Sequence, residues 1–268
     1  VREVQSVLRS VDVVPPPARG KGLGLYCAML AGLFYPLPFS VQSRVSPELR
    51  KKIDALLAAQ PIDMIVCDSL YQAVQFEENG RKVILNEHNI ESVIIKRYQQ
   101  VERNPWRKLY AAYEGWRMER FETRIWCRYK NVWVRSPVDR DEVLRRAPKS
   151  RVEVIPNGVR VPVLNKGGRD IVPKSLVYTG LIGWHPNEDA VLFFVRDIYP
   201  LIKQRVPGVK FWVVGKDPTE RIKRLAAQDG SITVTGFVDD VRAYIEKAEV
   251  FVVPLRIGSG TRLKILEA

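Results

Sequence analysis

The chain has 268 residues, enough for one large domain or two small ones, and its 46% hydrophobic and 27% charged residues exclude a disordered polymer. Its 43 Lys and Arg against 30 Asp and Glu give a formal charge of +13, an excess that suits an anionic partner. No uninterrupted apolar run is long enough to span a bilayer, the best candidate at residues 23–39 being broken by Pro36 and Pro38, and no signal peptide is visible.

Strand and helix signals alternate along the chain. Ser46-Pro47-Glu48 has the start signature of a helix running to about Gln60, and residues 63–68 follow as a short buried strand. A helix-like stretch leads to a strand at 82–87. Two helical stretches then part near Asn104-Pro105, followed by a strand at 131–135, a helix at 137–146 and a strand at 151–155. Pro156-Asn157-Gly158 and residues 162–174 read as a linker, Gly158 setting the backbone of the turn. The cycle restarts with a strand at 175–179, a helix capped by Asn187 and running to about Arg205, a strand at 210–214, and a helix opened by Asp217-Pro218. A strand at 232–235, a helix at 240–247 and a strand at 249–253 complete it. Such alternation predicts α/β architecture with parallel sheets, in two domains divided at 1–160 and 161–268. Ligands in sheets of this kind bind beyond the carboxyl ends of the strands, which places the expected cleft between the domains.

The last twenty residues carry the strongest chemical signal. The apolar run AEVFVVP opens into LRIGSGT and then RLKILEA, a strand, a phosphate-sized loop and a helix start. Gly258 and Gly260 free the backbone to approach a ligand, and helix N-terminal amides favour an anion. Arg262 and Lys264 stand in the first helical turn, where the helix dipole disfavours cations, so a phosphate ligand explains them better than helix stability does. An ordinary strand-to-helix turn with surface charges is the competing reading.

Five segments in order, EHNIES at 87–92, EVIPNGV at 153–159, YTGLIGWHPN at 178–187, TGFVDDV at 235–241 and PLRIGSGTRLKILEA at 254–268, resemble retaining glycosyltransferases of family 4, the glycosyl transferases group 1. The resemblance covers nearly the whole chain. It implies two Rossmann-like domains in the GT-B arrangement, the first facing the acceptor and the second binding a nucleotide-sugar donor. It implies that Gly180 and the loop Gly258, Ser259, Gly260 and Thr261 hold the donor diphosphate, that Glu267 accepts from the ribose hydroxyls, and that backbone groups at Phe237 and Val238 meet the base. His88, just past a strand end, is implied to approach the transferred sugar as the catalytic residue, the alternative being a capping or buried histidine. Glu87 and Glu91 are weaker candidates, and Asp240 is expected only to cap the helix after it.

This chain departs from the family pattern twice. Ser259 occupies the position of a glutamate that contacts the donor sugar, and residues 181–187 lack the usual Arg and Lys that clamp the diphosphate. Arg262 and Lys264 are the expected substitutes, since charge-assisted bonds to phosphate need guanidinium or ammonium groups. The resemblance implies no metal and no cofactor; the nucleotide-sugar is a substrate. The acceptor is expected to be a saccharide or lipid-linked hydroxyl in polysaccharide or glycolipid assembly. A start at Val1 and an end at Ala268 inside a helix lead us to expect a fragment that lacks the first strand and glycine-rich turn of such proteins and their last strand and helix units, a further reading being that the fragment is itself inactive and only preserves the donor-binding half.

Cys27, Cys67 and Cys127 fit no metal spacing, and with two histidines they suggest reduced thiols in a cytoplasmic protein. Between Lys96 and Lys149 there are 15 Lys and Arg against 7 Asp and Glu, interleaved with Trp106, Tyr110, Tyr113, Trp116, Phe121, Trp126 and Tyr129. Such a segment fits a protein resting on the inner face of an anionic plasma membrane, or a long core helix that buries its aromatics and solvates its charges. The other classes weighed are a sugar-nucleotide epimerase of the same architecture, short of acid/base groups with only His88 and His185, and a basic nucleic-acid binder without a recognition motif.

Overall fold

The computed structural model describes residues 8, 10–15, 17, 23–32, 34–75, 81–159 and 170–268; the expected linker at 162–174 lies outside them as far as residue 169. Contacts divide the chain into two compact units, Val1–Ser92 with Leu109–Ile155, and Val93–Lys108 with Pro156–Ala268. The segment Val93–Lys108, which falls within 1–160, therefore packs with the second unit.

The first unit begins with helices α1 (Leu23–Gly32), α2 (Phe39–Gln42) and α3 (Pro47–Ala59). The start signature of α3 is realised: Ser46 Oγ accepts from the Leu49 amide and Pro47 sits in the first turn. Strands β1 (Met64–Cys67) and β2 (Lys82–Asn86), helices α4 (Glu91–Val101) and α5 (Pro105–Tyr129), β3 (Asn131–Val134), α6 (Pro137–Arg146) and β4 (Arg151–Val154) follow in chain order, residues 93–101 of α4 and 105–108 of α5 belonging to the second unit. The break near Asn104-Pro105 has a physical cause. Pro105 cannot continue α4, and Asn104 Oδ1 accepts from the amides of Trp106 and Arg107 to start α5. All four strands are parallel, in the order β1-β2-β3-β4. Val83, Leu85, Val132 and Val134 of the sheet are buried, as are Met118, Phe121, Ile125 and Trp126 of α5.

The aromatics of α5 are split. Phe121, Trp126 and Tyr129 are buried, whereas Trp106, Tyr113 and Trp116 are exposed, so helical spacing buries only the second half of the series. Among the described residues no helix is long and apolar enough to cross a membrane.

In the second unit β5 (Val172–Thr179) is followed by α7 (His185–Phe193), a π-helical turn at Phe194–Ile198 and α8 (Tyr199–Arg205). A single helix was expected here. Pro200 has no amide to donate and its ring would crowd the preceding turn, and the wider turn ahead of it absorbs that conflict. Then come β6 (Lys210–Val214), α9 (Glu220–Gln228), β7 (Ile232–Gly236), α10 (Arg242–Lys247), β8 (Ala248–Phe251) and α11 (Leu263–Glu267). Thr219, not Asp217-Pro218, caps α9, its hydroxyl accepting from the Ile222 amide. Asp240 Oδ1 accepts from the Arg242 amide at the start of α10, as its capping role requires. The core is built on Phe194, Tyr199 and Phe211, whose rings meet at 4.7 to 6.0 Å, and each buried ring contributes roughly 1.5 to 3 kcal/mol.

The order of this parallel sheet is β7-β6-β5-β8. Chain order runs one way from β5 through β6 to β7 and the other way to β8. The crevice outside the carboxyl ends of β5 and β8 is thus the point where ligands bind in sheets of this class.

Candidate functional site

Glycines lace the strand ends of the second unit together. Gly180, which follows β5 with φ of 156°, donates its amide to Val214 O at 3.1 Å, and Gly215, with φ of 145°, donates to Gly236 O at 3.1 Å. A side chain on Gly215 would place its first carbon 1.8 Å from Gly180 O. Only glycine lets β5 and β6 end so close together. Nothing in VVGKDP announces a neighbour 35 residues away, so the sequence does not mark Gly215.

The loop after β8 lies beside the β5 end. Ile257 and Ser259 are buried in it, and Arg256 anchors it to α7 by two bonds to the Asp189 carboxylate, 2.5 and 3.1 Å, with its guanidinium 4.4 Å from the Phe193 ring centre. Arg262 folds back onto the loop, donating to Ser259 O and, at 3.1 Å, to Gly260 O. Its guanidinium would meet a side chain placed on Gly258, whose φ is 144°. Arg97, from the part of α4 that belongs to this unit, donates to Gly258 O, and Tyr98 sets its ring edge against His185 at 4.8 Å.

Lys264 reaches beneath Gly180. Its ammonium donates to Thr179 O at 2.9 Å, Tyr178 Oη at 3.1 Å and Asn187 Oδ1 at 3.3 Å, and lies 4.2 Å from the centre of the Tyr178 ring. Burial, and then the nearby positive charge of Arg262, lower its pKa to about 8, with Glu267 opposing. Two cations are held near each other against mutual repulsion at the switch point. An anion placed against them would relieve that repulsion.

Asn187 is not the cap that the sequence suggests. The helix starts two residues earlier, and buried Asn187 accepts from Tyr178 Oη at 2.6 Å and donates to Leu181 O at 2.8 Å, so that its amide organises the turn under Lys264. Phe237, at the end of β7, is 70% exposed, with Val238 following it; Trp184 and Leu181 are half exposed beyond β5. Glu267 is exposed at the end of α11, and Thr261 is exposed in the loop. The sheet order puts Gly180 and the Gly258 loop together, with Phe237 two strands from Gly180 and three from the loop, on the same carboxyl edge.

In the first unit, His88 also stands beyond a strand end. Its Nε2 is 2.9 Å from Asp68 Oδ1, which accepts from Asn86 Nδ2 at 2.5 Å; Arg135 donates to Asn86 Oδ1 at 2.8 Å and to Ile155 O at 3.0 Å. Asp68, Asn86 and Arg135 were not singled out in the sequence, because their assembly depends on the parallel order of β1 to β4. Glu87 turns the other way and is buried, accepting from Trp126 Nε1 at 2.8 Å, and burial raises its pKa well above the usual carboxylate value. Glu91 is raised by burial too. Both belong to the packing rather than to an accessible site. Among the described residues no three His, Cys, Asp or Glu side chains gather as a metal centre would need.

Comparison with known proteins adds to this geometry. Residues 173–268, which hold all of β5 to α11 except the first residue of β5, match the family described as Glycosyl transferases group 1. No curated protein matches the chain. Among solved structures it is similar to TarM, with 13% identity and a TM-score of 0.60 over 82% of this chain and 41% of TarM. It is also similar to a mutant of S. aureus TarM in complex with Fondaparinux, alpha-GlcNAc-glycerol and UDP, with 12% identity and a TM-score of 0.51 over 76% of this chain and 38% of that one. The chain thus spans less than half the length of either. These likenesses show the fold, two parallel-sheet Rossmann-like units of the GT-B class.

Proposed function

We propose that this chain forms the two Rossmann-like units of a glycosyltransferase that moves a sugar from a nucleoside-diphosphate sugar to a hydroxyl acceptor, with retention at the anomeric carbon. The observation that carries the reading is the convergence of Arg262 and Lys264 on the glycine-bounded crevice between the β5 and β8 ends, inside the segment that matches Glycosyl transferases group 1. The complex of mutant TarM with UDP and alpha-GlcNAc-glycerol, a nucleotide and a glycoside, supports this reading.

In this reading Gly180 and the backbone of Gly258, Ser259, Gly260 and Thr261 lie along the diphosphate, with Arg262 and Lys264 neutralising it. Glu267 takes the ribose hydroxyls, backbone groups at Phe237 and Val238 read the base, and His88 is assigned to the transferred sugar. The glycosidic C1–O bond to the diphosphate breaks, an oxocarbenium-like state forms, and the acceptor oxygen bonds to C1 on the same face while its proton passes to the departing phosphate. The charge that grows on the leaving diphosphate is the main quantity to be stabilised, and preoriented cations do this best. The product serves polysaccharide or glycolipid assembly, with a saccharide or lipid-linked hydroxyl as acceptor.

Calorimetric titration with UDP, GDP and ADP and their sugar conjugates tests the reading. One nucleoside diphosphate should bind and, at a hundred times its Kd, stabilise the protein by about 2.7 kcal/mol. Absence of binding by all of them overturns the proposal. Once a donor is known, proton spectroscopy of the first-formed product reports the anomeric configuration, and an inverted product refutes retention. Consumption of donor without any acceptor points instead to the epimerase class.

A further inference from the structure

The same helix that builds the core of the first unit presents a second, chemically distinct face. At 100° per residue, Leu109, Tyr113, Trp116, Arg120 and Arg124 fall within one narrow stripe of α5, and Arg128 flanks it. All six are exposed, Leu109 at 64% and Trp116 at 52%. The carboxylates of α5 are turned away from this face: Glu114 is buried against Arg117, Glu122 is buried against Arg146, and Glu119 is only partly exposed. The stripe therefore carries apolar and aromatic groups, then cations, with no fully exposed acid from its own helix. Arg120 lies over the Trp116 ring at 4.9 Å, and Tyr113 stacks on Trp116 at 6.1 Å.

A second exposed element is fixed to this helix. Buried Arg117 donates to the carbonyls of Gly32, Tyr35 and Leu37, and Glu114 Oε2 accepts from the Phe39 amide at 2.8 Å. The ion pair on α5 thus holds the turn ahead of α2, and that turn exposes Phe34 at 93% and Tyr35 at 50%. Rings held exposed on a turn secured by a buried arginine gain nothing from folding, and contiguous exposed apolar surface of this kind marks an interaction site.

We propose that Phe34, Tyr35 and the Leu109–Arg124 stripe of α5 form a docking surface for an anionic lipid bilayer, the rings and Leu109 entering the headgroup boundary and the arginines meeting lipid phosphates. Charge complementarity selects this occupant: the surface is cationic in a chain of net charge +13. Tyr and Trp settle at the headgroup level because one part of each side chain is apolar and the other polar. A nucleic-acid strand fits less well, since Leu109 has no ring to stack on a base, and a side chain as exposed as Phe34 stands out rather than lining a groove. This inference is independent of the donor site and goes beyond the proposed reaction.

Co-sedimentation with vesicles tests it. The protein should pellet with equimolar phosphatidylcholine and phosphatidylglycerol vesicles, and remain in solution with phosphatidylcholine alone. Replacing Arg120→Gln and Arg124→Gln together should weaken partitioning roughly 25-fold, from about 5-fold for each cation held near an anionic surface. Phe34→Ser with Trp116→Ser should weaken it at least as much, with the circular dichroism spectrum and nucleoside diphosphate binding retained. If the aromatic variant unfolds, the arginine variant, which changes only solvated groups, decides the matter alone. No sedimentation of the parent chain, or equal sedimentation of the arginine variant, overturns the proposal; so does retention on polyuridylate without vesicle binding, which would assign the face to nucleic acid.

Discussion

Lys264 combines three hydrogen bonds with a depressed pKa, and these make it the most testable side chain in the molecule. Burial and the Arg262 charge bring its ammonium to about 8, so below that pH it is charged and attracts an anion, and above it the charge is lost. Affinity for a nucleoside diphosphate should therefore fall as pH rises from 7 to 9. Lys264→Met should remove this fall while weakening binding at pH 7 by roughly 10-fold to 150-fold, the worth of one charge-assisted bond at about 1.5 to 3 kcal/mol. Calorimetry at the two pH values checks both points, and equal pH slopes for parent and variant would assign the dependence to another group. Lys264 was legible in the sequence because its signal is local, a cation three residues past a double-glycine loop. Asn187 was not: its partners Tyr178, Leu181 and Lys264 are brought to it by the fold, and a polar residue near a helix start looks the same whether it caps the helix or organises a buried turn.

Gly215 carries the element-scale test, because the separation of the β5 and β6 ends depends on it. Gly215→Ala forces either a carbon into Gly180 O or a shift of a whole strand end, and adds strain at a φ of 145°. It should destabilise the second unit by about 3 kcal/mol, the upper end of overpacking costs, and abolish nucleoside diphosphate binding with it. Gly208→Ala makes a useful control: its φ of 82° carries strain of its own, but its site has open space. Chemical denaturation of both variants separates strain from collision, and equal losses would mean that the close approach contributes nothing. The strands themselves were legible because parallel strands buried on both faces read as short apolar runs, such as KFWVV and KVILN. Their lateral order was not legible, since apolar runs do not say which neighbour lies on which side. Nor was the partition of the α5 aromatics, where spacing marks one face of a helix but not how far along its length the core extends.

At the scale of the whole molecule, the two units carry opposite linkages to pH. In the first, Glu87, Glu91 and Glu122 share one buried region with Tyr71, Ser92, Trp126 and Arg146, and all three carboxyl groups are raised above the usual 4.5, burial being the first cause in each. The folded unit thus keeps protons that the unfolded chain releases. The stability this contributes is fully present below about pH 4.5 and is lost as pH rises through the raised values. In the second unit Lys264 is depressed to about 8 from 10.5, so between those values the folded unit binds fewer protons than the unfolded chain and gains stability as pH rises. Hydrogen exchange of the core amides resolves the units separately. Protection at Leu85 in β2 should fall from pH 5 to pH 8 after correction for the intrinsic exchange rate, and protection at Val213 in β6 should rise from pH 8 to pH 10. Glu87→Gln should flatten the first trend and leave the second, and Lys264→Met should do the reverse. A common trend at both amides would mean that the chain opens as one cooperative body and that neither cluster governs its own unit.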